Sequence, residues 1–258
     1  MSNAVLADDI ALAHALADAA GAVIRPYFRA RVAVETKPDA SPVTLADRAA
    51  EAAMRELVEA ARPDDGIIGE EYGPVRGGAQ RQWVFDPIDG TRGFIAGRPL
   101  FGTLIALLDN GVPVLGIIDQ CIARDRWVGA AGLATTLNGI AVQTRACATL
   151  DAAHLATTSP YLFDNVGRAG LERLRAATRD TLLGGDCHNY ALLATGGLDL
   201  VVETGLKLYD WAALVPVVTG AGGMMCDWGG APLNMASDGR VIAAGDAAMI
   251  GQVLGLIG

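Results

Sequence analysis

An apolar run ends abruptly in two carboxylates, a glycine and a hydroxyl at Trp83-Val84-Phe85-Asp86-Pro87-Ile88-Asp89-Gly90-Thr91-Arg92-Gly93-Phe94. Aspartates are rarely buried without a partner, so Asp86 and Asp89 at the end of a hydrophobic strand call for cations. A ligand set made only of oxygens favours magnesium or calcium over zinc. The amides of Gly90 and Thr91, at the start of a short helix, would face an anion. Cations beside an anion-binding turn are a setting for phosphate chemistry.

Further acids sit at similar junctions. Asp47 lies in Thr44-Leu45-Ala46-Asp47, Glu70 and Glu71 follow Gly66-Ile67-Ile68-Gly69, and Asp210 lies in Tyr209-Asp210-Trp211-Ala212-Ala213. Each has an ordinary structural explanation. Asp47 completes a capping box, the Glu pair suits a solvated turn, and Asp210 suits a helix N-cap. Only the combination of all of them argues for a shared site.

The elements that must hold these residues are readable in outline. Apolar residues recur at helical spacing over residues 4–29 and again over 45–61, ending before Pro63. Residues 32–36 alternate like a strand, and the turn formers of 37–42 follow, with Lys37 among them. Trp83 to Phe85 suit a buried strand that Pro87 should stop, and Gly97 suits the end of the helix begun near Thr91. Residues 101–108 and 112–118 flank Asn110-Gly111, and Asn138-Gly139 repeats that hairpin signal. The stretch 1–145 thus reads as two helices and a mostly antiparallel sheet that carries most of the metal ligands. From 146 to 258, short apolar runs alternate with helical ones in an α/β pattern, with a last strand at 241–244 and a helix from Asp246. The two halves should pack closely around a site between them.

Composition excludes several classes. With 258 residues and 52% hydrophobic content, the chain can bury a substantial core. A net charge of -9 without any Lys/Arg cluster argues against nucleic-acid binding. Apolar stretches broken by Asp8, Asp9 and Asp18 argue against a signal peptide, and no run approaches the ~18 residues of a membrane span. Four scattered cysteines and three histidines offer no zinc or redox motif, so a cytoplasmic protein with reduced thiols is expected.

Taken together, Glu70-Glu71, Asp86-Pro87-Ile88-Asp89-Gly90-Thr91 and Asp210-Trp211-Ala212-Ala213 resemble the inositol monophosphatase superfamily of magnesium-dependent phosphomonoesterases. Lys37 and Ser41-Pro42-Val43-Thr44-Leu45-Ala46-Asp47 agree with its amino-terminal segment. The resemblance spans nearly the whole chain. It implies an α/β fold built as a five-layered αβαβα sandwich, usually a homodimer, acting on a small phosphorylated metabolite. Metal ligands map onto Glu70, Asp86, the Ile88 carbonyl, Asp89 and Asp210, for two or three Mg2+ per subunit. Gly90 and Thr91 would bind phosphate, Glu71 and Lys37 would support the ligands, and a cation-activated water would lose its proton through Thr91 and Asp47. Four carboxylates would repel a phosphate dianion by roughly 1 to 4 kcal/mol per close pair, so the cations are needed for binding.

Within the superfamily, Asp89-Gly90-Thr91-Arg92-Gly93-Phe94-Ile95, Gly185-Asp186-Cys187 and Leu206-Lys207-Leu208-Tyr209-Asp210 are most similar to histidinol-phosphate phosphatases. Such a substrate carries an ammonium and an imidazole, so acceptors near the leaving group make sense. Asp186 and Glu203 are the candidates, with Asn189 hydrogen bonding to the ring. Asp186 could equally cap the helix that starts near Cys187. Inositol, fructose-bisphosphate and nucleotide phosphatases are the alternatives. A haloacid-dehalogenase-type site is disfavoured because two residues, not one, separate Asp86 from Asp89. A metal-free regulatory protein is disfavoured by the complete acid set. Ala40 and Gly93 depart from the commoner forms of the family.

Overall fold

Alternation along the longest strands decides which core each side chain joins. In the strand Arg81–Asp89, Trp83 and Phe85 enter one buried cluster, while Val84 enters another on the opposite face. In Gly102–Asp109, Ile105 and Leu107 go one way and Leu104, Ala106 and Leu108 the other. Both faces are covered, so these strands read as continuous apolar runs instead of alternating with polar residues.

The computed structural model describes residues 3–30, 34–36 and 42–257. Its helices are α1 (Asn3–Ile24), α2 (Leu45–Ala61), α3 (Thr91–Ile95), α4 (Asn165–Ala177), α5 (Cys187–Ala194), α6 (Leu208–Trp211), α7 (Leu214–Gly220) and α8 (Ile250–Ile257). Five layers result. The pair α1 and α2 covers an eight-stranded sheet; α5, α6 and α7 form the middle layer; a five-stranded sheet follows, and α4 with α8 closes the far side. The fold is therefore the αβαβα sandwich.

The eight-stranded sheet runs from Ile140–Ala141 through Thr136–Leu137, Asp125–Ala130, Val112–Gln120, Gly102–Asp109, Arg81–Asp89 and Gly66–Gly69 to Gly73–Val75. All neighbours are antiparallel except Gly66–Gly69 and Arg81–Asp89, which run parallel. Those two carboxyl ends therefore open side by side. The five-stranded sheet runs Asp180–Leu183, His154–Thr157, Leu200–Glu203, Val241–Ala244, Met224–Cys226; its first three strands are parallel. Among the described residues no helix is long and apolar enough to cross a membrane.

Two expectations need correction. The helix expected over 4–29 stops at Ile24 and gives way to a 3-10 turn, Arg25–Tyr27, because Pro26 has no N–H for an α-helical bond. Pro87 does not stop its strand; the ladder shifts register between Asp86 and Asp89, and the strand continues to Asp89. A missing N–H interrupts pairing without ending it when a bulge absorbs the gap. Buried Thr103 completes the repair by donating its hydroxyl to the Pro87 carbonyl at 2.8 Å. Within the strand expected over 32–36, Val34–Thr36 is a strand paired with Pro42–Thr44; residues 32 and 33, Lys37, Ala40 and Ser41 lie outside the described residues.

Candidate active site

The bulge around Pro87 brings the two aspartates of this strand to one corner. Asp86 Oδ1 accepts the Ile88 N–H at 3.0 Å, folding the chain back across the proline. Gly90 follows at φ +88, a conformation that favours glycine, and serves as the N-cap of α3. Asp89 Oδ2 accepts the Cys187 N–H at 2.6 Å, so the start of α5 is tied to this carboxylate. Asp210 arrives from the other half of the chain at the third position of α6. Its Oδ2 accepts the Lys207 N–H at 2.6 Å, a capping-box role and not the N-cap expected. Ligand oxygens of Asp86, Asp89 and Asp210 all lie within 4.8 Å of one another. Glu70 lies close to them: its N–H donates to the Phe85 carbonyl at 3.1 Å, and its charge acts on both Asp86 and Asp210.

Burial, then the charges of Glu70, Asp89 and Asp210, push the Asp86 carboxyl well above its usual range. Burial, then Asp186 and Asp210, does the same to Asp89. Asp210 is raised to about 7, chiefly by burial and against the hydrogen bond from Lys207. Such a cluster is unfavourable as bare anions. Its oxygen-only donor set, with carboxylates sharing one small volume, fits hard divalent cations such as magnesium.

Asp47 makes a capping contact with Thr44 and a second contact with Thr91. Its Oδ2 accepts the Thr44 N–H at 2.8 Å and the Thr44 hydroxyl at 2.6 Å, which is the capping interaction. Its Oδ1 meets the Thr91 hydroxyl at 3.5 Å, and that hydroxyl also donates to the Ile88 carbonyl at 3.1 Å. Burial raises the Asp47 carboxyl above its ordinary value although the Thr44 bonds oppose this.

Glu51 escaped the sequence reading. It is fully buried on the same face of α2 as Asp47, four residues on, and accepts the N–H groups of Glu71 at 2.7 Å and Tyr72 at 3.3 Å. It thereby holds the turn that presents Glu70, and Arg55 pairs with it at 2.7 Å. A charged residue among Ala46, Ala50, Met54 and Val58 on a buried face was the available signal.

Asp89, Asp186, Glu203 and Asp210 line one cavity, together with Thr158, Cys187, Tyr190 and the leucines 162, 206 and 214. Glu203 ends its strand and accepts the Thr158 N–H at 2.7 Å and the Thr157 hydroxyl at 3.4 Å. Burial, against those bonds, raises its carboxyl to about 7. Asp186 follows Gly184 and Gly185 in a third successive positive φ, at +47. Its side chain does not cap α5, and burial lifts its carboxyl to about 6 despite the opposing charge of Arg92. Asn189 is buried beneath this turn, its Nδ2 donating to the Gly184 carbonyl at 3.0 Å.

An acid-lined corner at adjacent strand ends, within an αβαβα sandwich, defines the protein as a metal-dependent phosphatase. Residues 6–255 match the inositol monophosphatase family, and the chain belongs to that family. It is 48% identical over 253 residues to the bifunctional phosphatase IMPL2 of Arabidopsis thaliana, covering 95% of this chain and 73% of that one. It is 37% identical over 225 residues to a histidinol-phosphatase of Mycobacterium tuberculosis, covering 84% and 86%. Among solved structures, an inositol monophosphatase from Zymomonas mobilis superposes with a TM-score of 0.91 at 56% identity, covering 100% of this chain and 99% of that one.

Proposed function

We propose that this phosphatase hydrolyses histidinol phosphate to histidinol and phosphate in a magnesium-dependent reaction. The observation that carries the reading is the pair Asp186 and Glu203 lining the same cavity as Asp89 and Asp210. A leaving alcohol with an ammonium and an imidazole suits two carboxyls near the reacting end. The histidinol-phosphatase relative supports this choice. The Zymomonas relative supports inositol monophosphate as the second reading.

In this reading Glu70, Asp86, the Ile88 carbonyl, Asp89 and Asp210 would hold two or three magnesium ions. Magnesium held there would neutralise the carboxylates and supply Lewis acidity toward the attacking water and the departing alkoxide. Gly90 and Thr91 bind phosphate through their amides. The Thr91 hydroxyl accepts a proton from the attacking water as its own passes to Asp47, a relay supported by their 3.5 Å contact. The raised Asp47 carboxyl takes that proton more readily than an exposed aspartate. Glu71 and Lys37 support the ligand set from outside it. Residues 1–145 form the half supplying most ligands and 146–258 the half supplying Asp210 and the alcohol contacts. The protein acts as a cytoplasmic homodimer.

Phosphate release with magnesium from histidinol phosphate and from inositol 1-phosphate tests the reading. A kcat/KM at least about tenfold higher for histidinol phosphate is expected. Preference for inositol phosphate would overturn it.

A further inference from the structure

The cavity has one polar wall beyond its acids. Tyr190 stands four residues after Asp186, one turn into α5, and both residues line this cavity. Its ring packs in the core between the two sheets, and the residue is only 2% exposed. Tyr190 nevertheless lines the cavity beside Glu203, Leu206 and Leu214. Its hydroxyl is buried and has no hydrogen-bond partner among the described residues. Glu203, Asp89 and Asp210 line the cavity that Tyr190 also lines, and after burial itself theirs are the charges felt most by this hydroxyl.

A phenol without a partner is a costly thing to bury, and phenylalanine would fill the same core space without that cost. The cavity is where a partner can come from. Ionised carboxylates only accept hydrogen bonds, and the Thr158 N–H is already used by Glu203. The Tyr190 hydroxyl can donate, which the acids cannot do when charged.

We propose that Tyr190 is a specificity-determining residue: its hydroxyl hydrogen-bonds to a nitrogen or oxygen of the leaving alcohol and selects alcohols that carry such an acceptor. The proposal rests on the reading of this cavity as the leaving-group site of the phosphatase. A contact remote from phosphorus is made in ground state and transition state alike, so it acts mainly through KM.

Tyr190→Phe, compared with the wild-type protein in magnesium, tests this with histidinol phosphate and with phenyl phosphate, whose leaving group has no polar atom beyond the ester oxygen. The ratio of kcat/KM for histidinol phosphate to that for phenyl phosphate should fall about 10- to 100-fold, mostly through the KM of histidinol phosphate. A ratio within about twofold of wild type overturns the proposal, whether both activities fall together or neither does. A melting temperature lowered by more than about 5 °C in the variant also overturns it, since the hydroxyl would then serve the fold. If the wild-type protein hydrolyses inositol 1-phosphate but not histidinol phosphate, the histidinol reading fails. The same ratio taken with inositol 1-phosphate then decides Tyr190.

Discussion

Asp89 is bound on two sides, by the corner of acids it shares with Asp86 and Asp210 and by the Cys187 N–H at 2.6 Å. These ties have opposite consequences for Asp89→Asn. The amide oxygen still accepts the Cys187 N–H, and one buried like charge is removed, so the metal-free variant should melt no lower than the metal-free wild type. Magnesium-dependent turnover should fall by more than ~100-fold, because a ligand carboxylate is lost. Calorimetric magnesium titration and phosphate release measure the two effects, and a fully active variant would refute the ligand assignment. Asp47 makes a related point. Capping and a place beside Thr91 looked like competing explanations of one residue, but its two carboxylate oxygens meet Thr44 and Thr91 separately.

The middle helices reach the site because the eight-stranded sheet lets them approach. A Cβ at Gly116 would overlap the Ala213 carbonyl, and one at Gly129 would overlap the backbone at Pro216 and Val217. Glycines at both places let α7 and the chain just before it sit directly on Val112–Gln120 and Asp125–Ala130. Asp210 and α6 lie just upstream, so this contact also sets how far Asp210 is from Asp86. Gly116→Ala should cost about 1–3 kcal/mol by overpacking, lowering the melting temperature by several degrees. Because the displaced segment carries Asp210, magnesium affinity should weaken as well. Scanning calorimetry with and without magnesium checks both, and an unchanged melting temperature would contradict the packing argument. Gly93 stands in contrast: it has no positive φ, and nothing approaches its Cβ position more closely than the Arg98 carbonyl at 4.0 Å. Neither conformation nor space therefore requires glycine there, and within α3 it costs about 0.5–1 kcal/mol relative to alanine.

Across the whole molecule, the raised acids couple stability to pH and to metal. Asp210 and Glu203 titrate at about 7 in the folded chain, and Asp186 at about 6. In the unfolded chain such groups titrate near ~4. Between those values the folded state holds protons that the unfolded state has released, so their contribution to stability falls as pH rises. The loss is complete above the folded values. Metal-free protein should therefore be less stable at pH 8 than at pH 5 as far as these groups decide it. Magnesium, which competes with protons for the ligand carboxylates, should raise the melting temperature more at pH 8. Melting curves in chelator and in magnesium at the two pH values measure this. A metal-free melting temperature that climbs from pH 5 to pH 8 would contradict the assignment.

Much of this was legible along the chain. Apolar periodicity and the Asn-Gly turns located α2, the central hairpin and the last strand, because they depend on neighbours a few residues apart. The acids at strand and helix ends pointed to cations for the same local reason: a carboxylate beside a hydrophobic run needs a partner whatever the fold. Other features depend on residues far apart in sequence, and only packing could disclose them. Glu51 holding the turn of Glu70, the start of α5 holding Asp89, and Tyr190 lining the cavity beside Glu203 all arise where separate elements meet. The bulge at Pro87 is of the same kind, since its outcome rested on Thr103 in the adjacent strand. Local spacing specifies which residues are able to bind cations and phosphate, whereas the company each of them keeps is set by the contacts that close the five layers.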